Sequence, residues 1–460
     1  MGAPEAPEKK LNFVFILIDD MGWTDLACYG SKFYETPNID KLASEGVRFT
    51  DAYAACPVCS PTRGSILTGR YPASTGVTDW LPGFSTRPDH KVLQAKTLQQ
   101  LPLSEVTIAE ALKPHGYVSA SIGKWHLGGP KYFPDQQGFD VNVGGTSAGM
   151  AKSHFCPESY GATHLKGPDG EYLADRLTRE AEGFIEKNRD NPFFLYLAHY
   201  AVHIPIEGRP DLVEKFKSKA KDGELHANWQ YAAMVESVDE SVGRVLKKLE
   251  DCGIADRTVI IFTSDNGGLC TESRAAGVAM SNLPLRQGKA YLYEGGIRVP
   301  LAIKWPGVTR PKQTCYEPVS SVDFLPTIME MAGVKQHSGP ALDGVSLAPL
   351  LKRTGKLNRD AIYWHYPHYC ISENPVPMIP SDGKIGGRPS GAIRSGDYKL
   401  IEFYEDGRTE LYNLKDDIGE QHDLAREKPE KAAEMRDMFA KWRESVGAKM
   451  PTPNPDYGSD

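Results

Sequence analysis

The sequence predicts an α/β protein: a large domain over residues 1–355 with a mostly parallel sheet between helices, then a smaller α+β domain over residues 356–460. Three observations carry that expectation. Short apolar runs alternate with amphipathic stretches from Leu11 to about Lys304, the pattern of a buried sheet covered by helices. Several of these runs end directly in polar clusters, as strands do where an open α/β sheet binds its ligand. Beyond about Lys356 the texture shifts to Gly/Pro-rich loops and short alternating segments.

The strongest strand is 12–18, apolar after its first residue. Further strands are expected at 119–122, 193–198, 258–263 and 299–303. Helices are expected at 38–45, 176–187 and 228–249, the last long enough to cover a sheet face. In the second domain residues 398–402 read as a short strand and 429–446 as a charged helix, with a Pro-rich tail from Met450 that packs poorly. The apolar runs lead into Asp19-Asp20, Gly123-Lys124-Trp125-His126, His203 and Ser264-Asp265-Asn266-Gly267, so one site assembled from distant segments is expected.

Composition narrows the function classes. With 40% hydrophobic and 25% charged residues the chain has ample material for a core, which argues against disorder. The formal charge is -7 and Lys and Arg are scattered, so no electrostatic footprint for nucleic acid stands out. Positive charge focused in one pocket remains compatible with that total. No run approaches the roughly 18 apolar residues of a membrane span. Residues 1–10 lack the apolar core of a signal peptide and read as the start of a mature domain whose export signal was removed, hence a periplasmic or secreted protein. The 8 cysteines are too few for a dense disulfide scaffold. Cys56 and Cys59 form a C-x-x-C, but no second pair at zinc spacing follows and no thioredoxin-like pattern surrounds it.

Residues 59–63 read Cys-Ser-Pro-Thr-Arg and continue Gly64-Ser65-Ile66-Leu67-Thr68-Gly69-Arg70. A helix beginning near Pro61 or Thr62 would place Cys59 at its N-terminus, where free N–H groups favour an anion. Alone, such a cysteine is more often an inert buried thiol. Asp19-Asp20 and Asp265-Asn266 offer oxygen ligands only, which select Ca²⁺ or Mg²⁺ over zinc. Singly, each of these pairs reads equally as a cap or a turn.

Taken together, these segments resemble the formylglycine-dependent sulfatases of the alkaline phosphatase superfamily, in particular bacterial carbohydrate sulfatases. The C-x-P-x-R signature and its Leu-Thr-Gly-Arg continuation match, and the likeness runs from Asp19 into the second domain. It implies an alkaline-phosphatase-like large domain. It also implies that Cys59 is oxidised to formylglycine while the chain is unfolded, by a formylglycine-generating or anaerobic sulfatase-maturing enzyme. The resemblance points to Ca²⁺, with Mg²⁺ the alternative, held by Asp19, Asp20, position 59, Asp265 and Asn266. Lys124 and His126 match the family's sulfate-site pair, His203 in Ala-Val-His-Ile-Pro its later histidine, and Lys289 in Gln-Gly-Lys its second lysine. His199 competes with His203, but only His203 has the x-Pro context. Arg298 is expected to hold the Glu294 loop.

The implied roles follow. Arg63, Lys124 and Lys289 stabilise sulfonate charge, and Asp265 with the cation favours an ionised hydroxyl at position 59. His203, with Lys289, protonates the departing alcohol, and His126 takes a proton from the second hydroxyl, although the two histidines remain interchangeable at this level. Trp80, His365, His368 and Arg388 are candidates for sugar contacts, with Asp79, His154 and His164 behind them. The expected substrate is a sulfated saccharide, with galactose or N-acetylgalactosamine sulfate favoured. An aryl or steroid sulfate is the alternative, ahead of a phosphoesterase or a noncatalytic binding protein.

Overall fold

The computed structural model describes residues 10–157, 163–219, 228–270, 272–273, 277–278, 280–370 and 387–458. Its centre is an eight-stranded sheet built from β1 (Asn12–Ile18), β2 (Val47–Phe49), β3 (Val118–Gly123), β4 (Val141–Val143), β5 (Phe193–Ala198), β6 (Thr258–Ser264), β7 (Leu301–Lys304) and β8 (Gln313–Cys315). The spatial order is β8-β2-β7-β6-β1-β5-β3-β4. All pairings are parallel except those of β7, which runs against both β6 and β2.

Strand β1 shows why this sheet is central. Its side chains alternate between two cores. Val14, Ile16 and Ile18 pack with the helices α1 (Pro37–Glu45), α3 (Leu173–Lys187) and α4 (Trp229–Asp251). Phe13, Phe15 and Leu17 pack on the other face with α2 (Cys59–Thr68) and α5 (Phe324–Met331). Each buried aliphatic or aromatic side chain contributes about 1.5–3 kcal/mol relative to exposure. Ile16→Ala would therefore cost about 2–5 kcal/mol through the cavity it leaves.

A second sheet of four antiparallel strands follows: β9 (Ile362–Tyr366), β10 (Ser390–Ser395), β11 (Tyr398–Phe403) and β12 (Thr409–Asn413). One face, with Trp364, Tyr366, Ala392 and Ile401, packs on Tyr53, Cys56, Val58 and Leu292 of the large domain. The other, with Ile393, Leu400 and Leu411, is covered by α6 (Pro429–Ser445) through Met435 and Phe439. This sheet thus braces the chain leading into Cys59 and the segment around Leu292.

Two local expectations change. The strand expected at 299–303 starts at Leu301, because Pro300 has no N–H for the ladder and Val299 bonds Ala52 instead. The Pro-rich tail is anchored: residues Thr452–Pro453 pair antiparallel with Val92–Leu93, and the Asn454 side chain donates to the carbonyls of Arg87 and His90. Backbone pairing needs no apolar side chains, so composition does not announce it. Among the described residues no helix is long and apolar enough to cross a membrane.

Candidate active site

The polar residues gather where β1, β3, β5 and β6 end. Asp19 and Asp20 continue β1, Lys124 and His126 follow β3, His203 lies beyond β5, and Asp265 and Asn266 follow β6. Cys59 is the first residue of α2, two residues before the expected start. Pro61 falls in the first turn, where its missing N–H removes no intrahelical bond. Thr62 fixes the approach to the helix: its hydroxyl donates to the Cys56 carbonyl at 3.0 Å and accepts from the Cys56 N–H at 3.1 Å.

Distances show a closed charge network. Lys124 Nζ lies 2.6 Å from Asp19 Oδ2, and Lys289 Nζ 2.8 Å from Asp20 Oδ1. Arg63 binds Asp265 Oδ2 through Nε (2.9 Å) and Nη2 (2.7 Å), and donates from Nη1 to the Lys124 carbonyl. Asp20 and His126 adopt left-handed backbone, φ 62° and 58°. That strain, roughly 1–2 kcal/mol each, persists because the surroundings over-determine it.

Cys59 Sγ is 3.4 Å from His126 Nδ1, and His126 Nε2 is 2.6 Å from the Leu81 carbonyl. A carbonyl only accepts, so Nε2 carries the proton and Nδ1 presents its lone pair to position 59. Burial, reinforced by Lys124, holds His126 well below the usual histidine range, so the ring is neutral. Burial pushes the Cys59 thiol up. His203 donates from Nδ1 to the Ile204 carbonyl (2.9 Å), and its Nε2 lies 3.5 Å from Asp20 Oδ2. In the neutral ring both of those facing atoms are acceptors.

The donor set fits a hard divalent cation. Asp19 Oδ1 and Asn266 Oδ1 are buried with no hydrogen-bond donor among the described residues. Arg63 Nη2 is 3.6 Å from Asp19 Oδ1, too far for a hydrogen bond. Asp19, Asp20 and His203 present ligand atoms within 4.8 Å of one another. Burial, with Asp265 nearby, pushes the Asp19 carboxyl up despite Lys124. Burial acts the same way on Asp20, but Lys289, His203 and Lys124 together hold it low. The chain thus leaves one carboxylate under-compensated and several lone pairs converging, which a bound dication would resolve. Sequence reasoning had not placed His203 beside these ligands.

The outer candidates separate. Trp80 stands at the site's edge, since the next residue, Leu81, bonds both His126 and the Ser60 hydroxyl. Its ring meets the half-exposed Phe84 edge-on at 5.0 Å. His368 is buried, its Nε2 2.8 Å from the Thr78 hydroxyl. Arg388 pairs with Glu405 at 3.1 Å. His365 turns inward, against the sequence expectation of a sugar contact: Nδ1 meets the Tyr404 hydroxyl (2.8 Å) and Nε2 the Lys449 carbonyl (2.9 Å). Trp364 and Tyr366 face the large domain, so pleating sends His365 to the opposite side of the sheet. His154 donates to the His203 carbonyl, His164 is exposed, and Asp79 accepts from Tyr366. His199 contacts Ser241 Oγ, away from the carboxylates.

Leu81 is the participant that sequence reasoning missed. Its contribution is a backbone carbonyl, and the only sign of it is the Pro82-Gly83 turn that follows.

Three cations and two histidines around buried carboxylates, at the ends of a largely parallel sheet, define a hydrolase for anionic esters. A family model described as Sulfatase matches residues 11–334, and one described as N-sulphoglucosamine sulphohydrolase, C-terminal, matches 287–445. A sulfatase of Formosa agariphila is 35% identical over 92% of this chain and 85% of its own length. The N-acetylgalactosamine-6-sulfatase of Homo sapiens is 35% identical over 79% of this chain and 70% of its own. The crystal structure of Ps i-CgsB in complex with k-i-k-neocarrahexaose superposes with a TM-score of 0.76 at 30% identity, covering 94% of this chain and 93% of that one. The chain belongs to the sulfatase family, with the alkaline-phosphatase-like fold and an added C-terminal domain that carries the antiparallel sheet.

Proposed function

We propose that this protein hydrolyses sulfate monoesters of carbohydrates, galactose or N-acetylgalactosamine sulfate foremost, using formylglycine made from Cys59 and one divalent cation, Ca²⁺ ahead of Mg²⁺. The observation that carries the reading is the placement of position 59, 3.4 Å from an unprotonated His126 nitrogen and within the ring of Arg63, Lys124 and Lys289. The names of the human relative and of the neocarrahexaose complex support the carbohydrate class.

The chain's residues divide the work. Asp19, Asp20, Asp265 and Asn266 would hold the cation, with His203 at its margin. Hydrated formylglycine at position 59 would supply one hydroxyl able to attack sulfur and a second whose deprotonation would let sulfate leave, and a bound cation would favour ionisation of the first. His126 Nδ1 accepts the proton of the second hydroxyl, because Leu81 holds the other nitrogen protonated. That geometry supports His126 as the base and leaves His203, with Lys289, to deliver a proton to the departing alcohol. Arg63, Lys124 and Lys289 balance the three carboxylates, so the cation's two charges remain to offset an ionised hydroxyl and a sulfate monoester.

The same reading gives catalysis to residues 1–355 and completion of the pocket to residues 356–460, with Trp80, His368 and Arg388 as contacts to the sugar. It requires a maturation enzyme acting on Cys59 during synthesis. A periplasmic or secreted location suits polysaccharide sulfates, which are too large to enter a cell intact. The test is release of inorganic sulfate by matured enzyme from defined sulfated mono- and oligosaccharides. Release from a carbohydrate is expected. Turnover of aryl or steroid sulfates alone would reverse the ranking, and a purely thiol mass at position 59 in the native host would remove the mechanism.

A further inference from the structure

The loop that carries Lys289 is held from two sides. On the inner side the Lys289 N–H donates to the Gly268 carbonyl, Gly267 N–H to Gly296, and Ala290 N–H to Pro57, tying residues 286–298 to the Asp265 turn and the Cys59 approach. The packing there is backbone on backbone: a Cβ on Gly295 would lie 2.1 Å from the Gln287 carbonyl oxygen. Gln287 and Ala290, flanking Lys289, both hold left-handed backbone, φ 59° and 77°. Neither is a residue that favours it, so the conformation has to be imposed from outside.

The outer side supplies that constraint. Lys399, fully buried on β11, sits 2.9 Å from both Glu294 Oε1 and Glu420 Oε1. Glu420 Oε2 accepts from the Glu294 N–H at 2.7 Å, and the Glu420 carbonyl accepts from Arg286 Nη1 at 3.0 Å. Glu294 Oε2 in turn takes Arg298 Nε and the Tyr53 hydroxyl. Glu420 therefore grips the loop at two points from the C-terminal domain, its backbone carbonyl at Arg286 and its carboxylate at the Glu294 N–H.

We infer that Glu420, backed by Lys399, is a positioning residue for sulfate hydrolysis: it clamps residues 286–298 so that Lys289 meets the sulfonate group. The inference rests on the assignment of Lys289 to the sulfate made above. Because the loop is packed without slack, a shift at Glu294 reaches Lys289 as a rigid displacement, and misplacement by about 1 Å costs up to about 100-fold in rate.

The test uses matured full-length enzyme and an aryl sulfate reporter. Glu420→Ala is expected to lower kcat/KM by about 10- to 100-fold. Glu420→Gln, which keeps an oxygen for the Glu294 N–H, is expected to recover to within about threefold of wild type. In a Lys289→Ala background Glu420→Ala is expected to add less than about twofold, since its effect passes through Lys289. Arg359→Met, which breaks the buried pair with Asp323 (2.7 Å), serves as the purely structural control: lower stability, unchanged kcat/KM. Equal losses from Glu420→Ala in both backgrounds would overturn the clamp. If Glu420→Ala fails to fold, Glu420→Asp carries the same expectation, and a folded Asp variant with wild-type kcat/KM overturns it. Amide exchange at Lys289 and Ala290 reads the displacement without turnover. Faster exchange in the variant supports the clamp and unchanged exchange rejects it, even if wild type released no sulfate and the sulfatase reading itself failed.

Discussion

The cluster around Cys59 and the cluster around Lys399 each set three carboxylates against three cations in largely buried surroundings. The first holds Asp19, Asp20 and Asp265 with Arg63, Lys124 and Lys289, and the second Asp51, Glu294 and Glu420 with Arg298, Arg394 and Lys399. In both, burial pushes one carboxyl up, Asp19 or Glu420, while cations overcome the same burial to hold its neighbour low, Asp20 or Glu294. They differ in what their atoms meet. Around Lys399 carboxylate oxygens meet ammonium, guanidinium, hydroxyl and backbone N–H donors. Around Cys59 acceptors converge on acceptors: His203 Nε2 on Asp20, with Asp19 Oδ1 and Asn266 Oδ1 lacking donors among the described residues. Burial and charge balance do not mark a site; a surplus of converging lone pairs does, because only something from outside the chain can satisfy it.

That contrast breaks most sharply on Cys59→Ala. Sulfate ester turnover should fall by at least about 10³-fold, with the thermal midpoint within a few degrees of wild type. Lost turnover accompanied by collapse of the fold would blur the two clusters into one. Lys399→Met should act first on the fold, lowering stability in urea by about 3–5 kcal/mol because two buried carboxylates lose their shared cation. A loss below about 1 kcal/mol would show that the junction is not held by this pair.

Chelation should separate the clusters more finely. Removing divalent cations is expected to lower the thermal midpoint. Restoring Ca²⁺ to about 100 times its dissociation constant should return about 2.7 kcal/mol. Asn266→Ala should weaken that response and Arg359→Met should not. A midpoint indifferent to Ca²⁺ in wild type would remove the dication from the Cys59 cluster.

A further expected effect is on pH. Burial holds His365 near a pKa of about 4, against 6.5 when exposed. Its folded value is depressed, so between pH 6.5 and 4 the unfolded chain binds a proton that the folded chain refuses, and stability falls as pH drops. The steepest slope is about 1.4 kcal/mol per pH unit for one proton. His365→Asn should flatten the urea-derived stability profile by that one-proton slope. An unchanged profile would mean that His365 is not buried neutral.

Much of this was legible early. The strands 12–18 and 193–198 coincide with β1 and β5, since continuous apolar runs bounded by polar residues have few other folded uses. The site could be assembled from Asp19, Cys59, Lys124, His203, Asp265 and Lys289 because each follows such a run or sits in a distinctive segment. His365 was misjudged because composition shows an aromatic and histidine-rich run but not which residues of β9 face the large domain. Glu420 and Lys399 gave no signal, being a charged loop residue and a strand lysine like many others.

The sequence by itself determined the parts and their chemistry: which segments form the sheet, which residues carry oxygen ligands, cations and imidazoles, and that Cys59 lies at the N-terminal end of a helix. These are local properties, written in periodicity and residue type. Only the tertiary structure decided how they act together: that His126 has a fixed tautomer, that Asp20 and His126 are held in left-handed backbone, and that Lys289 is braced from a second domain. Each depends on a partner distant in sequence, Leu81 for His126 and Glu420 for the Lys289 loop, and no local pattern encodes which distant backbone or carboxylate a folded chain will bring within 3 Å.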